Sequence, residues 1–169
     1  MTKFTKRMKR LFAWGTALLL VGGMQAASLP VDEPITPVDY VSTLVGTQSK
    51  HSLSTGNTYP AVAMPWGMNF WTPQTGTMGN GWAYTYDADK IRGFKQTHQP
   101  SPWINDYGQF SIMPVTGKPV FDENKRASWF SHKGEVALPH YYKVYLAEHD
   151  VVTEFTPTER AVLFRFTFP

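Results

Sequence analysis

The residues best suited to chemistry in this sequence lie in one irregular segment, residues 91–108. It brings together an imidazole, an indole, a carboxylate and a phenol, in His98, Trp103, Asp106 and Tyr107. Two glycines and two prolines in the same segment disfavour regular helix or strand. Because binding groups are commonly carried on loops held by a rigid scaffold, we predict a substrate-binding loop whose ligand is a sugar.

Three of these side chains have a specific use in holding a sugar. The indole of Trp103, kept out of regular structure by neighbouring prolines, offers a flat apolar surface to the C–H face of a pyranose. Asp106 can accept a hydrogen bond from a sugar hydroxyl, or it can bind backbone N–H groups of its own loop. His98 can orient a substrate hydroxyl or bond to the loop backbone. Both alternatives stay open for each polar residue.

Other chemistries find little support. Cleavage of glycosidic bonds uses a pair of carboxylates, but no spacing selects two of the acids. Apart from Asp106, those at residues 87, 89, 148, 150, 154 and 159 are expected at the surface. The five histidines form no metal-ligand pattern, and all but His98 are expected at the surface. The absence of cysteine excludes thiol catalysis, disulfides and Cys-ligated metals. Nucleophile-elbow and phosphate-binding motifs are also missing.

The first 28 residues have the pattern of a secretory signal peptide. Five basic residues precede an apolar run of about 11 residues, Leu11 to Val21, and small residues follow. That run is shorter than the about 20 residues that span a bilayer, so we expect export to the periplasm or beyond, without a stable membrane anchor. Residues 29–36 read as a connector.

Removal of the signal peptide changes the charge of the chain. It leaves 11 Lys or Arg against 13 Asp or Glu, a net charge of −2, where the whole chain carries +3. A nucleic-acid partner needs a basic face, and residues 29–169 have no basic run. We therefore expect no nucleic-acid partner.

Residues 37–169 are predicted to form one all-β domain, an antiparallel β-sandwich with one short N-terminal helix. Thr36-Pro37 is a typical helix start. A bent edge strand is expected over Ala61–Trp71, with a loop from Thr72 to Asn80, and an aromatic strand is expected over Trp82–Tyr86. Short strands are predicted near 110–113, 142–147, 151–155 and 162–168, and the last three start about ten residues apart. Because the last strand is strongly apolar, we expect the front part of a longer polypeptide.

Several ordered motifs resemble a known family. They are Gly56-Asn57-Thr58-Tyr59-Pro60, Met64-Pro65-Trp66-Gly67-Met68, Tyr86 to Asp89, Ile91-Arg92-Gly93-Phe94, Thr97-His98, Asp106-Tyr107-Gly108 and Met113-Pro114. In this order they resemble the N-terminal domain of glycoside hydrolase family 92, the exo-acting α-mannosidases. The likeness covers roughly residues 36–169.

The resemblance implies an exported, calcium-dependent enzyme that trims mannose from glycans with inversion at the anomeric carbon. In that family an N-terminal β-sandwich precedes an (α/α)₆ barrel that holds the catalytic acid, the base and the calcium. No catalytic residue or metal ligand is therefore expected in this chain, which alone should be inactive, and the 98–107 loop is expected to line the sugar pocket. Many relatives follow Thr-His with a Ser-Gly-rich turn, whereas Gln99 to Ile104 is stiffer and bulkier here, which leaves the linkage open. A free-standing carbohydrate-binding module is the alternative.

Overall fold

The computed structural model describes residues 35–48, 58–77, 83–97 and 110–169, all in one compact unit, Ile35–Pro169. The predicted signal peptide and nearly all of the predicted connector lie outside these ranges. A 3₁₀ helix, Pro37–Tyr40, comes first. The strands that follow in these ranges are β1 (Phe70–Gln74), β2 (Lys90–Ile91), β3 (Gly93–Thr97), β4 (Ser111–Ile112), β5 (Ser128–Trp129), β6 (Val136–Leu138), β7 (Tyr141–Leu146), β8 (Val151–Pro157) and β9 (Val162–Thr167).

The strands form antiparallel sheets, as predicted for an all-β sandwich. The larger sheet has the order β6-β7-β8-β9, a second has the order β1-β3-β4, and β2 pairs with β5. Strands β7, β8 and β9 confirm three of the predicted strands, and β4 confirms the short one near residue 111. In the part of the chain that the structure describes, no helix is long and apolar enough to cross a membrane.

The main core joins strands of the two larger sheets. Side chains of β7 alternate between buried and exposed, so Tyr142, Val144 and Leu146 share the buried face. Phe94 of β3 meets the larger sheet, with its ring centroid 5.7 Å from that of Phe155 in an edge-to-face contact. Each such fully buried side chain stabilises the fold by about 1.5–3 kcal/mol. The other fully buried members of this core are Val62, Trp71 and Ile91.

The predicted N-terminal helix is only one 3₁₀ turn. The carboxylate of Asp39 accepts hydrogen bonds from the backbone N–H of Thr36 at 2.7 Å and from its hydroxyl at 2.8 Å, so the predicted start is correct. Val41 and Val45, which share the predicted apolar face, are both exposed. Without a packed face a longer helix gains little stability, and the chain continues through a turn that ends at Gly46, with φ of 77°.

Two strand predictions were wrong in position or in kind. The edge strand predicted over Ala61–Trp71 is β1, Phe70–Gln74, so the predicted loop begins inside a strand; of the earlier residues, Val62 forms an isolated bridge with Trp71. The strand predicted over Trp82–Tyr86 is absent from its described part, residues 83–86. There the backbone N–H of Thr85 donates to the Thr75 hydroxyl instead of a ladder partner.

Candidate functional site

The segment predicted to be irregular, residues 91–108, is strand in its first part, because Ile91 ends β2 and Gly93–Thr97 forms β3, so the prediction was wrong there. The rest of the predicted binding loop lies between β3 and β4 in the sequence. His98, Trp103, Asp106 and Tyr107 all fall within residues 98–109, which lie outside the described residues, so their role stays a prediction. The structure does describe both ends of the loop. Thr97 is the last residue of β3, and Phe110 directly precedes β4.

The two residues that flank this loop, Thr97 and Phe110, are fixed by contacts with the sandwich. The Thr97 hydroxyl is buried and accepts a hydrogen bond of 3.1 Å from the phenol of Tyr59. On the return side, the ring of Phe110 lies edge-on to Trp71, with centroids 5.7 Å apart. A loop with anchored ends loses less conformational freedom when it binds a ligand, which is what a binding loop requires.

One buried amide, that of Asn69, joins this edge of the smaller sheet to the turn between β8 and β9. Its Oδ1 accepts from the indole N–H of Trp71 at 2.8 Å and from Gln96 Nε2 at 3.2 Å. Its Nδ2 donates to the carbonyl oxygen of Ala161 at 2.7 Å and lies 3.5 Å from that of Thr158. The amide therefore ties together both sheets beside the loop ends.

A buried polar layer occupies the face of β1 and β3 opposite to Phe94. Thr72 pairs with Lys95, which pairs in turn with Ser111, and all three lie on that face. Burial lowers the pKa of Lys95, although Glu123 works in the opposite direction. Gln74 is also buried here, and its Oε1 has no hydrogen-bond partner. Part of this layer lies on β3, the strand that directly precedes residues 98–109 in the sequence.

A tight turn, Met64 to Gly67, lies beside the same edge. The backbone N–H of Gly67 donates to the Met64 carbonyl at 2.9 Å, and that of Met68 donates to the Glu159 carbonyl at 2.9 Å. Trp66, the third residue of the turn, has φ of 61° and a side chain that is 100% exposed. A Cβ on Gly67 would lie 3.0 Å from the Met64 carbonyl oxygen, so this close approach favours glycine.

Glu154 is not the solvated strand-end acid that its sequence position indicates. It lies in the middle of β8, is only 7% exposed, and accepts from Arg165 Nε and Nη2 at 2.6 and 2.7 Å. The phenol of Tyr141 also donates to it at 2.5 Å. Hydrogen bonds from Arg165, then from Tyr141, lower the pKa of Glu154 to about 2. Desolvation and the bond to Glu154 raise the pKa of Tyr141 to about 12.

Sequence reasoning missed a second carboxylate, Glu135, whose side chain is 1% exposed, whereas its partner His132, expected at the surface, is 26% exposed. Glu135 Oε2 lies 2.6 Å from His132 Nδ1, and its Oε1 accepts from the Tyr142 phenol at 2.5 Å. Tyr84 adds a longer contact of 3.4 Å. Desolvation first, and then Glu135, raises the pKa values of Tyr84 and Tyr142. The polar run Ser131 to Glu135 looked like any solvated turn, so no local signal marked the pair.

Neither carboxylate is placed for acid–base or metal chemistry. Every oxygen of Glu135 and Glu154 is bonded inside the domain. Within the described ranges, no three His, Asp or Glu side chains come together to hold a metal ion. The resemblance assigns the calcium to the barrel, so these residues are not expected to hold it.

Antiparallel β-sheets that share one core are the architecture expected for the N-terminal domain of the family that the motifs resemble. Residues 40–169 match the family model described as the glycosyl hydrolase family 92 N-terminal domain. The chain belongs to this family and covers its N-terminal domain.

Solved structures support the assignment. An inverting mannosidase of family 92 from Bacteroides thetaiotaomicron is 54% identical with a TM-score of 0.73, over 78% of this chain and 18% of that one. A family 92 α-mannosidase from the same organism is 33% identical with a TM-score of 0.69, over 78% and 18% of the two chains. A secreted glycosidase of Arthroderma benhamiae is 26% identical over 137 residues, which are 77% of this chain and 17% of that protein. The chain thus spans less than a fifth of the length of these relatives.

Proposed function

We propose that this chain is the N-terminal domain of an exported, calcium-dependent, inverting α-mannosidase that trims mannose from glycans. The observation that carries this proposal is the family match over residues 40–169, together with 54% identity to an inverting mannosidase. The secreted relative and the signal-peptide pattern support export to the periplasm or the exterior.

In this proposal the domain supplies a wall of the sugar pocket. The sandwich holds both ends of the 98–109 loop through the Tyr59 to Thr97 hydrogen bond and the Phe110 to Trp71 contact. Trp103 then stacks on the pyranose, while His98, Asp106 and Tyr107 bind its hydroxyls. The positioning of a substrate by such contacts adds to catalysis by lowering the entropic cost of reaching the reactive geometry.

The bond-breaking groups and the calcium belong, in the same proposal, to a second domain, the (α/α)₆ barrel. The described carboxylates that are most buried, Glu135 and Glu154, are both engaged within the sandwich. Inversion needs one carboxylic acid and one carboxylate about 6.5–9.5 Å apart, with a water between them. In this proposal both groups come from the barrel.

An activity comparison tests the division of labour. The 169-residue chain and a longer polypeptide that continues through a family 92 barrel are assayed on α-mannosides, with the product anomer followed by NMR. We expect hydrolysis with inversion only from the longer form, abolished by a calcium chelator and restored by calcium. Hydrolysis by the 169-residue chain alone would refute the proposal. Mannoside binding by the short chain, without hydrolysis by the longer form, would favour the carbohydrate-binding module.

The loop has its own test in the longer form. Trp103→Ala should raise KM for mannosides by about tenfold or more, because a lost stacking contact is worth roughly 1–2 kcal/mol. Trp129→Ala is the matched control, since Trp129 is a half-exposed tryptophan on β5, away from the loop ends. Equal effects of the two substitutions on KM would exclude Trp103 as the sugar platform.

A further inference from the structure

An exposed apolar ridge projects from the loop-bearing edge of the sandwich. It consists of Met64, Trp66 and Met68, whose side chains are 41%, 100% and 73% exposed. The ridge is not a frayed segment. Its backbone is held by the bond within the turn and by the bond from Met68 to Glu159, and the preceding Ala63 N–H donates to the Pro139 carbonyl at 2.8 Å.

Trp66, at the top of the ridge, does not stabilise its own domain. With φ of 61°, Trp66 occupies the left-handed region, which is unfavourable for a bulky side chain and which turns of this kind normally assign to glycine or asparagine. Because the side chain is wholly exposed, it returns no buried area to the sandwich. Strained residues that the fold itself does not use cluster at functional positions. The contact that gives Trp66 its use therefore lies outside the described part of the sandwich.

The shape and chemistry of the ridge favour a protein surface over a sugar. A sugar site is concave, with polar groups that converge on the ligand hydroxyls, whereas Trp66 stands out from a turn between two methionines. Tryptophan and methionine are enriched in the cores of protein interfaces, and a projecting tryptophan that fills a partner's pocket is a common hot spot. The ridge thus has the composition and shape of a protein–protein contact site, with Trp66 as its central side chain.

We propose that Trp66, with Met64 and Met68 on either side, docks into an apolar pocket on the remaining part of a family 92 polypeptide. This inference rests on the proposed function. The matched mannosidases are more than five times longer than the segment aligned with this chain, because that segment is 18% of each of them. The rest of such a polypeptide is covalently linked to this domain, so it is the protein surface most readily available to cover the ridge.

Two measurements test the docking. In the 169-residue chain, Trp66→Ala should leave the Tm within about 2 °C, since an exposed side chain stabilises only what covers it. In the 54% identical mannosidase, alanine at the residue that superposes on Trp66 should lower the Tm by several degrees and expose the region between its domains to limited proteolysis. Alanine at the residue that superposes on Phe121, also strongly exposed in this chain, is the control and should change neither.

Each outcome decides the proposal. An unchanged Tm and an unchanged proteolysis pattern in the mannosidase variant would overturn it, as would a lowered Tm of the 169-residue Trp66→Ala variant. A mannosidase variant that keeps its Tm but binds mannosides tenfold more weakly would make the ridge a sugar platform instead. Because these measurements report stability and not hydrolysis, they can fail while the proposed mannosidase function stands, and the reverse is equally possible.

Discussion

Trp66 and Trp71 are tryptophans five positions apart with opposite environments. Trp71 is 3% exposed, donates its indole N–H to Asn69, and lies edge-on to Phe164 with ring centroids 5.1 Å apart. Trp66 is wholly exposed on a strained turn. One indole joins the two sheets, and the other contributes nothing to their packing. The difference separates what builds this domain from what the domain presents to other molecules.

The largest expected effect comes from the buried partner of this comparison. Trp71→Ala should destabilise the 169-residue chain by about 3–5 kcal/mol, because it removes a core side chain and leaves a cavity. That is a large share of the stability of an ordinary domain. Chemical denaturation monitored by circular dichroism measures it. Trp71→Phe, which keeps an aromatic ring but loses the N–H donor, should cost less, and equal losses for the two variants would contradict the packing role.

Asn69 supports Trp71, so its removal should give the next largest effect. Asn69→Ala leaves the Trp71 N–H and the Ala161 carbonyl without their partner, and an unsatisfied buried group costs about 1–3 kcal/mol. We expect a loss of about 2–4 kcal/mol in the same denaturation experiment. Asn69→Asp keeps the acceptor for Trp71 but not the donor to Ala161, and it should separate the two contributions. A loss below about 0.5 kcal/mol for Asn69→Ala would show that the hydrogen bonds of the Asn69 amide are dispensable for stability.

A smaller, pH-dependent effect is expected on the outer face of the larger sheet. Hydrogen bonds from Arg165, and then from Tyr141, lower the pKa of Glu154 from 4.5 to about 2 in the folded domain. The ionised carboxylate therefore stabilises the fold above about pH 4.5, and this stabilisation is lost as the pH falls towards 2. In Arg165→Met the decline in Tm over this range should be shallower than in the unmodified chain, with Tyr141→Phe intermediate. Parallel Tm profiles for all three proteins would contradict the coupling.

The smallest expected effect comes from the exposed partner of the comparison. Trp66→Gly removes the left-handed strain, worth about 1–2 kcal/mol, but glycine loses about 0.5–1 kcal/mol more conformational freedom on folding. The unfolding free energy of the 169-residue chain should thus stay the same or rise slightly. Trp66→Ala keeps the strain and should be the less stable of the two. A marked loss in Trp66→Gly would mean that the indole supports the sandwich after all.

Local patterns in the sequence were enough for the carboxyl-terminal strands. Alternation of apolar and polar residues in β7 identifies both the strand and its buried face, because successive side chains point to opposite sides of a sheet. The same criterion was wrong for residues 83–86, where Tyr84 is buried but its neighbours bond to loops. Alternation of apolar and polar residues predicts which side chains are buried, but it does not predict which groups the backbone hydrogen-bonds with.

Local sequence patterns predicted only part of the candidate site. The sequence indicated the family, because ordered motifs are local features. Its prediction of a sugar-binding group at His98, Trp103, Asp106 and Tyr107 lies outside the described residues and stays a prediction. The sequence also indicated the start of the helix, since Thr36 and Asp39 are three positions apart. Glu154 looked solvated because Arg165, eleven positions away, becomes its neighbour only through the pairing of β8 with β9.

By itself, then, the sequence determined the family and the all-β architecture. Those properties depend on residue order and short-range periodicity, which the chain carries whether or not it is folded. Only the tertiary structure decided which tryptophan builds the core, which carboxylates are engaged, and that Trp66 is left uncovered by the described part of its domain. These properties arise from strand register and burial, which bring together residues that are far apart along the chain.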